Sequence, residues 1–199
     1  MCTDGARGSW DRNADLVALV ALRREEQRAA SRALGGEGDV TFLGWPDGEL
    51  EAGIRQRWEV AYWIRKIRPE VVLGHDPWRR YRLHPDHRSA GFLVTDSLVA
   101  ARDPHFFPEQ ELAPHRPSAL LLWEAEEVDH VEDVMGFAES KVSALLAHRS
   151  QLRSTMHIVD PGAEDEVRRF RSDVMHQLAD DGSRAGLPLG EGFKLMKDL

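Results

Sequence analysis

Residues 70–101 read EVVLGHDPWRRYRLHPDHRSAGFLVTDSLVAA, and three kinds of chemistry follow one another in them. EVVLG is a short apolar run closed by glycine, which reads as a buried strand. HDPWRRYRLHPDH is a polar loop holding three histidines. From about Pro85 to Ala101 apolar residues recur at helical spacing, and Pro85 suits the first helical position because its missing N–H would lack a partner there anyway. Strand, polar loop and helix in succession form the repeating unit of an α/β fold.

The same alternation extends on both sides. Upstream, apolar residues from about Asp15 to Leu34 keep helical spacing and stop at Gly35-Gly36, Val40–Gly44 (VTFLG) reads as a short buried strand, and a helix is expected from about Glu49 to Ile67. Downstream, Ser118–Trp123 (SALLLW) reads as a third strand, and helices fit GFAESKVSALLAHRSQ and AEDEVRRFRSDVMHQLA. Apolar strands separated by amphipathic helices predict a mainly parallel sheet covered on both faces. Such sheets bind ligands at the carboxyl ends of their strands, where the loops GWPDG and GHDPWRRYRLHPDH would lie.

Composition narrows the function. The chain has 199 residues, a length that suits one domain burying roughly 70% of its unfolded surface. Its 26 basic and 34 acidic residues give a formal charge of −8, which opposes the phosphate contacts behind nucleic-acid binding and contact with anionic membranes. Cys2 is the only cysteine, and no apolar run approaches the ~18 residues of a membrane span. A cytoplasmic protein is expected.

The histidine loop suggests metal chemistry. With Pro85 in the first turn, His84 becomes the cap and Asp86 and His87 enter the helix, where the positive end of the dipole favours carboxylate and neutral imidazole. A catalytic zinc takes three protein ligands and leaves one position for water. This loop supplies one or two. Around it, Asp47 suits both a turn and a pocket wall, and His75 and Asp76 lie near the presumed pocket. Trp78 has a face that suits a sugar ring, and Arg82 and Arg88 suit a negatively charged substrate group or ordinary ion pairs.

The stretches TDGARGSW, RREEQRAASRALG, VTFLGWPDGEL, IRKIRPEVVLGHDP, HPDHRSAG and KVSALLAHRSQ occur in an order and spacing that resemble the PIG-L/LmbE-like zinc-dependent de-N-acetylase family, in a bacterial form. The likeness runs from residue 3 to about residue 151, with a weaker echo in Leu189–Met196. It implies a Rossmann-like three-layer α/β/α fold, Zn2+ as cofactor, and removal of the N-acetyl group from an N-acetylglucosamine-type conjugate. In the family's HPDH motif the last histidine ligates zinc, which implies that role for His87. The first, His84 here, faces the developing oxyanion, and Asp86 orients and charge-stabilises a histidine.

The family's A-H-P-D-D-E-type segment, which supplies a histidine ligand, an aspartate ligand and the aspartate base, is expected some tens of residues before TDGARGSW. Residues 1–199 are therefore expected to form a single deacetylase domain that is N-terminally incomplete and lacks its first strand. A rival expectation follows from the same reading: a non-catalytic binding or assembly subunit, with homo-oligomer formation through an open sheet edge.

Overall fold

The computed structural model describes residues 1–199. In chain order the helices are α1 (Leu16–Ala33), α2 (Ile54–Ile67), α3 (Pro85–Arg102), α4 (Ala138–Leu146), α5 (Leu152–Thr155) and α6 (Glu164–Ser183). The strands are β1 (Val71–His75), β2 (Ala119–Trp123), β3 (His130–Asp133) and β4 (Gly190–Lys197), in the sheet order β1-β2-β4-β3. The architecture is α/β with an open sheet. That sheet is mixed, because β1 and β2 pair in parallel while β4 runs antiparallel to β2. None of the helices is long and apolar enough to cross a membrane.

Contacts gather into two compact units, residues 48–130 with 192–199 and residues 1–47 with 131–191. In the first of these, Ala61 and Ile64 of α2, Leu98, Ala100 and Ala101 of α3, and Leu120 and Leu122 of β2 form one buried cluster. α2 begins at Ile54 rather than near Glu49, because the amides of Gly48 and Leu50 donate to the Asp86 carboxylate and hold those residues out of the helix. The far end of α3 is closed by Arg65, which is buried. Its guanidinium donates to the carbonyls of Ala100, Ala101, Asp103, Phe106 and Phe107 and to Oε1 of Gln110, at 2.8–3.3 Å. Those of Ala100, Ala101 and Asp103 are carbonyls that a helix end leaves without intrahelical partners.

In the other unit, Asp15 caps α1 by accepting from the amides of Val17 and Ala18. Val142 of α4 and Val174 and Leu178 of α6 lie in a second buried cluster. The expected strand at Val40–Gly44 does not form. Those residues are only half-buried or exposed, and their pairing with the first residues of the chain amounts to one parallel bridge, Thr3 to Trp45, flanked by single backbone bonds such as Leu43 to Met1. β-branched and apolar composition makes a strand only where a neighbouring backbone runs alongside for several residues. At the end of α6, Gly182 touches the start of β4: a Cβ on Gly182 would sit 2.8 Å from the Gly190 nitrogen, and one on Gly190 2.8 Å from the Gly182 Cα.

A comparable approach sets the distance between α3 and β1. A Cβ on Gly91 would lie 2.7 Å from the His75 carbonyl oxygen and 2.8 Å from the Pro77 nitrogen, both backbone atoms that have no rotamer to yield. Gly91→Ala should therefore destabilise the fold by about 1–3 kcal/mol, the usual cost of overpacking, read as a lowered denaturation midpoint. A midpoint equal to that of the wild type would mean that α3 does not press on β1 as described.

Candidate metal and active site

β1 ends at His75 and β2 at Trp123, and the two residues are paired in the parallel register. The polar loop after β1 and the turn after β2 thus leave the sheet side by side, at the edge where such sheets present ligand groups. Asp76, 7% exposed, ties the two together: its carboxylate accepts from the amide of Trp78 at 2.9 Å and from that of Glu126 at 2.8 Å. Glu124, immediately after β2, takes a left-handed backbone conformation (φ 51°), and Arg79 donates to its carbonyl.

His84 is the N-cap of α3, Pro85 opens the helix, and His87 lies in its first turn. The His87 ring stacks on His75 with centroids 4.4 Å apart and lies 4.8 Å from the ring of His84. His75, His87 and Glu124 bring one ligand atom each within 4.8 Å of one another, which makes them a group able to hold a metal ion. Two imidazoles and a carboxylate are donors that zinc accepts. The cluster already surrounds a cationic nitrogen. One Nη of Arg82 donates to Nδ1 of His87 at 2.9 Å, to Nδ1 of His75 at 3.3 Å and to the Glu124 carboxylate. Nδ1 of His75 also accepts from the Trp123 indole at 2.8 Å, which fixes that nitrogen as unprotonated.

Of the other residues singled out in the sequence, Asp86 is buried, and its carboxylate accepts from the amides of Gly48 (2.7 Å) and Leu50 (3.1 Å), so it fastens the loop before α2 to the start of α3. Trp78 is half-exposed and packs edge-on against Phe92, and Arg88 donates to the Arg82 carbonyl. Asp47 belongs to the other unit, where its carboxylate accepts from the amide of Arg7 and its own amide donates to Asp4. Sequence reading missed Glu124 altogether and cast His75 as a substrate contact. The signal available for Glu124 was its position directly after an apolar strand, which a solvated acidic turn shares.

Comparison with known proteins bears on the family and the fold. Residues 1–98 match the family described as GlcNAc-PI de-N-acetylase, PIG-L. Over that stretch the chain is similar to the PIG-L family. A diacetylchitobiose deacetylase of Thermococcus kodakarensis is 33% identical over 154 residues, covering 76% of this chain and 57% of its own length. A probable N-acetyl-alpha-D-glucosaminyl L-malate deacetylase 2 of Bacillus anthracis is 27% identical over 154 residues, covering 75% and 64%. The chain thus spans about three-fifths of the curated relatives it matches. Among solved structures, the N,N'-diacetylchitobiose deacetylase of Pyrococcus horikoshii superposes with a TM-score of 0.84 at 29% identity, over 98% of this chain and 71% of that one.

Burial, followed by repulsion from His87, Arg82 and His84, pushes the His75 imidazole down to about 4 from its ordinary 6.5. The folded protein thus keeps His75 neutral where an unfolded chain would take up a proton. The stability contributed by this shift is complete above pH 6.5 and is lost as pH falls from there toward 4. With a chelator present, the unfolding midpoint should fall over this window, and His75→Gln should flatten that part of the profile. An unchanged slope in the variant would assign the pH dependence to other groups.

Proposed function

We propose that the protein is a zinc-dependent hydrolase that removes the N-acetyl group of an N-acetylglucosamine-type substrate, with residues 1–199 forming one deacetylase domain. The observation that carries this reading is the convergence of His75, His87 and Glu124 on one point beside His84, at the ends of two parallel strands. The relatives, whose names describe deacetylation of N-acetylated sugars, support the substrate class.

His75, His87 and Glu124 would hold the ion, and a zinc there supplies a Lewis acid for the acetyl carbonyl and lowers the pKa of water. His84 stands at the open cap of α3, makes no capping bond with its side chain, and donates to the oxygen that becomes negative as water attacks. Asp86 holds the start of α3 in place and keeps both histidines in register. Trp78 and Arg88 line the approach to the site, where an exposed indole face and a guanidinium suit a sugar and its polar substituents. Water adds to the carbonyl carbon, the C–N bond breaks, and the nitrogen leaves as amine with a proton while acetate is released. Arg82 bonds Nδ1 of His75, Nδ1 of His87 and the Glu124 carboxylate, so an ion held through those atoms would compete with its guanidinium. With an ion in place, Arg82 would be released toward the substrate.

Metal analysis and acetate release from N,N'-diacetylchitobiose test this together. The protein should carry one zinc per chain, His87→Ala should lose it, and His84→Ala should keep it while losing roughly 100-fold or more in turnover. Arg82→Ala should bind zinc more tightly than the parent. Full zinc content in His87→Ala, or no zinc in the parent, would refute the assignment.

A further inference from the structure

A cavity of about 660 Å3 opens in the unit formed by residues 1–47 and 131–191, and none of its lining residues belongs to the histidine cluster. Its volume falls within the range that encloses small organic ligands. One wall is the loop of Gly8, Ser9, Trp10 and Asp11, and the other is the short helical stretch from Ser150 to His157.

Both walls are braced from behind by α1. Arg23 donates to the carbonyls of Gly5 and Gly8 and, at 3.4 Å, to Oγ of Ser150. Glu26, buried at 5% exposure, accepts from both the amide and the hydroxyl of Ser150 at 2.7 Å. Two charged side chains that act wholly on the framework hold the shape of the cavity before any ligand arrives. At the far rim His157 takes a left-handed conformation (φ 56°), beside the bond from the Ile158 amide to the Leu152 carbonyl, and remains exposed while Ile158 is buried.

The lining is chemically specific. Trp10 is 87% exposed, an unusual state for the largest apolar side chain and one that leaves an indole face uncovered. Around it stand hydroxyls, the imidazole of His157, one carboxylate (Asp11) and one guanidinium (Arg153). The charges of the last two balance, which disfavours a strongly ionic ligand. An aromatic platform ringed by hydroxyls and paired opposite charges matches a neutral polyhydroxylated ring, whose C–H face stacks on indole while its edge exchanges hydrogen bonds.

We propose that this cavity is a saccharide-binding subsite, with one sugar ring laid on Trp10 and its hydroxyl edge held by Arg153, Asp11 and Ser154. The choice of an N-acetylated hexosamine as that sugar rests on the function proposed above, whereas the stacking chemistry does not. The test is titration of the full chain with N,N'-diacetylchitobiose, followed by NMR of the Trp indole N–H signals, with acetate release read in the same samples. The Trp10 signal, assigned by its loss in Trp10→Ala, should move on titration. Trp10→Ala should weaken binding about tenfold or more, about 1.4 kcal/mol, and Arg153→Ala should weaken it in the same direction. Both side chains are exposed, so neither variant threatens the fold. Affinity unchanged in both variants, or a Trp10 signal that never moves, would overturn the proposal. Trp10-dependent binding without acetate release would remove the deacetylase reading and leave the subsite standing. Acetate release with no Trp10-dependent binding would do the reverse.

Discussion

The buried carboxylate of Asp86 determines where α3 begins. A helix start presents unpaired amides and a positive dipole end, so a carboxylate in the first turn is stabilised there even without reaching a cap position. Asp86 then turns both oxygens outward to the amides of Gly48 and Leu50, joining the helix start to the loop before α2. At the opposite end Arg65 collects the last carbonyls of the helix. With both ends tied by buried charged groups and its middle pressed against β1 at Gly91, α3 has little freedom to slide or turn. The position of His87 next to Asp86 follows from that restraint.

The electrostatics of the histidine cluster follow from the same crowding. Burial is the largest influence on His75, and repulsion from His87, Arg82 and His84 adds to it, so the neutral form of His75 is favoured. Trp123 and Arg82 both point donors at Nδ1 of His75, which selects its tautomer. Glu124 supplies the carboxylate that offsets Arg82. A neutral imidazole is the form that can ligate a metal, and the surroundings of His75 hold it in that form.

Much of this was legible in the sequence because it is local. The spacing of apolar residues located α1, α3 and α6, the apolar runs located β1 and β2, and His-Pro-Asp-His announced a helix start with its polar groups aligned. What escaped depends on distant partners. Val40–Gly44 has strand composition but meets the first residues of the chain only through single backbone bonds beside one bridge, and Glu49 to Gly53 have helical potential that Asp86 overrides from 36 and 38 residues away. β4, rich in glycine, lysine and glutamate, reads as a polar tail until β2 is placed beside it, and its antiparallel direction is invisible in a pattern of alternating strands and helices. Glu124 was hidden for a similar reason, since only the pairing of His75 with Trp123 brings the residue after β2 to the histidines.

The meeting of Gly182 and Gly190 bears on how this chain can change over generations. When two large side chains touch, a gain of volume in one can be absorbed by a loss in the other, and sequences drift through such exchanges. Here both partners are already at the smallest size available; Gly182 is crowded by main-chain atoms alone, and Gly190 by the main chain of Gly182 together with Cγ1 of Val131. Neither position has anything left to give up. Any larger residue at one of them must be answered by moving α6 or the start of β4, so the pair has no neutral path of exchange open to it. The segment between them takes part through its backbone, since the Leu187 carbonyl oxygen and the Leu189 carbonyl carbon also press on Gly182, so its path is fixed by main-chain atoms whatever side chains it carries.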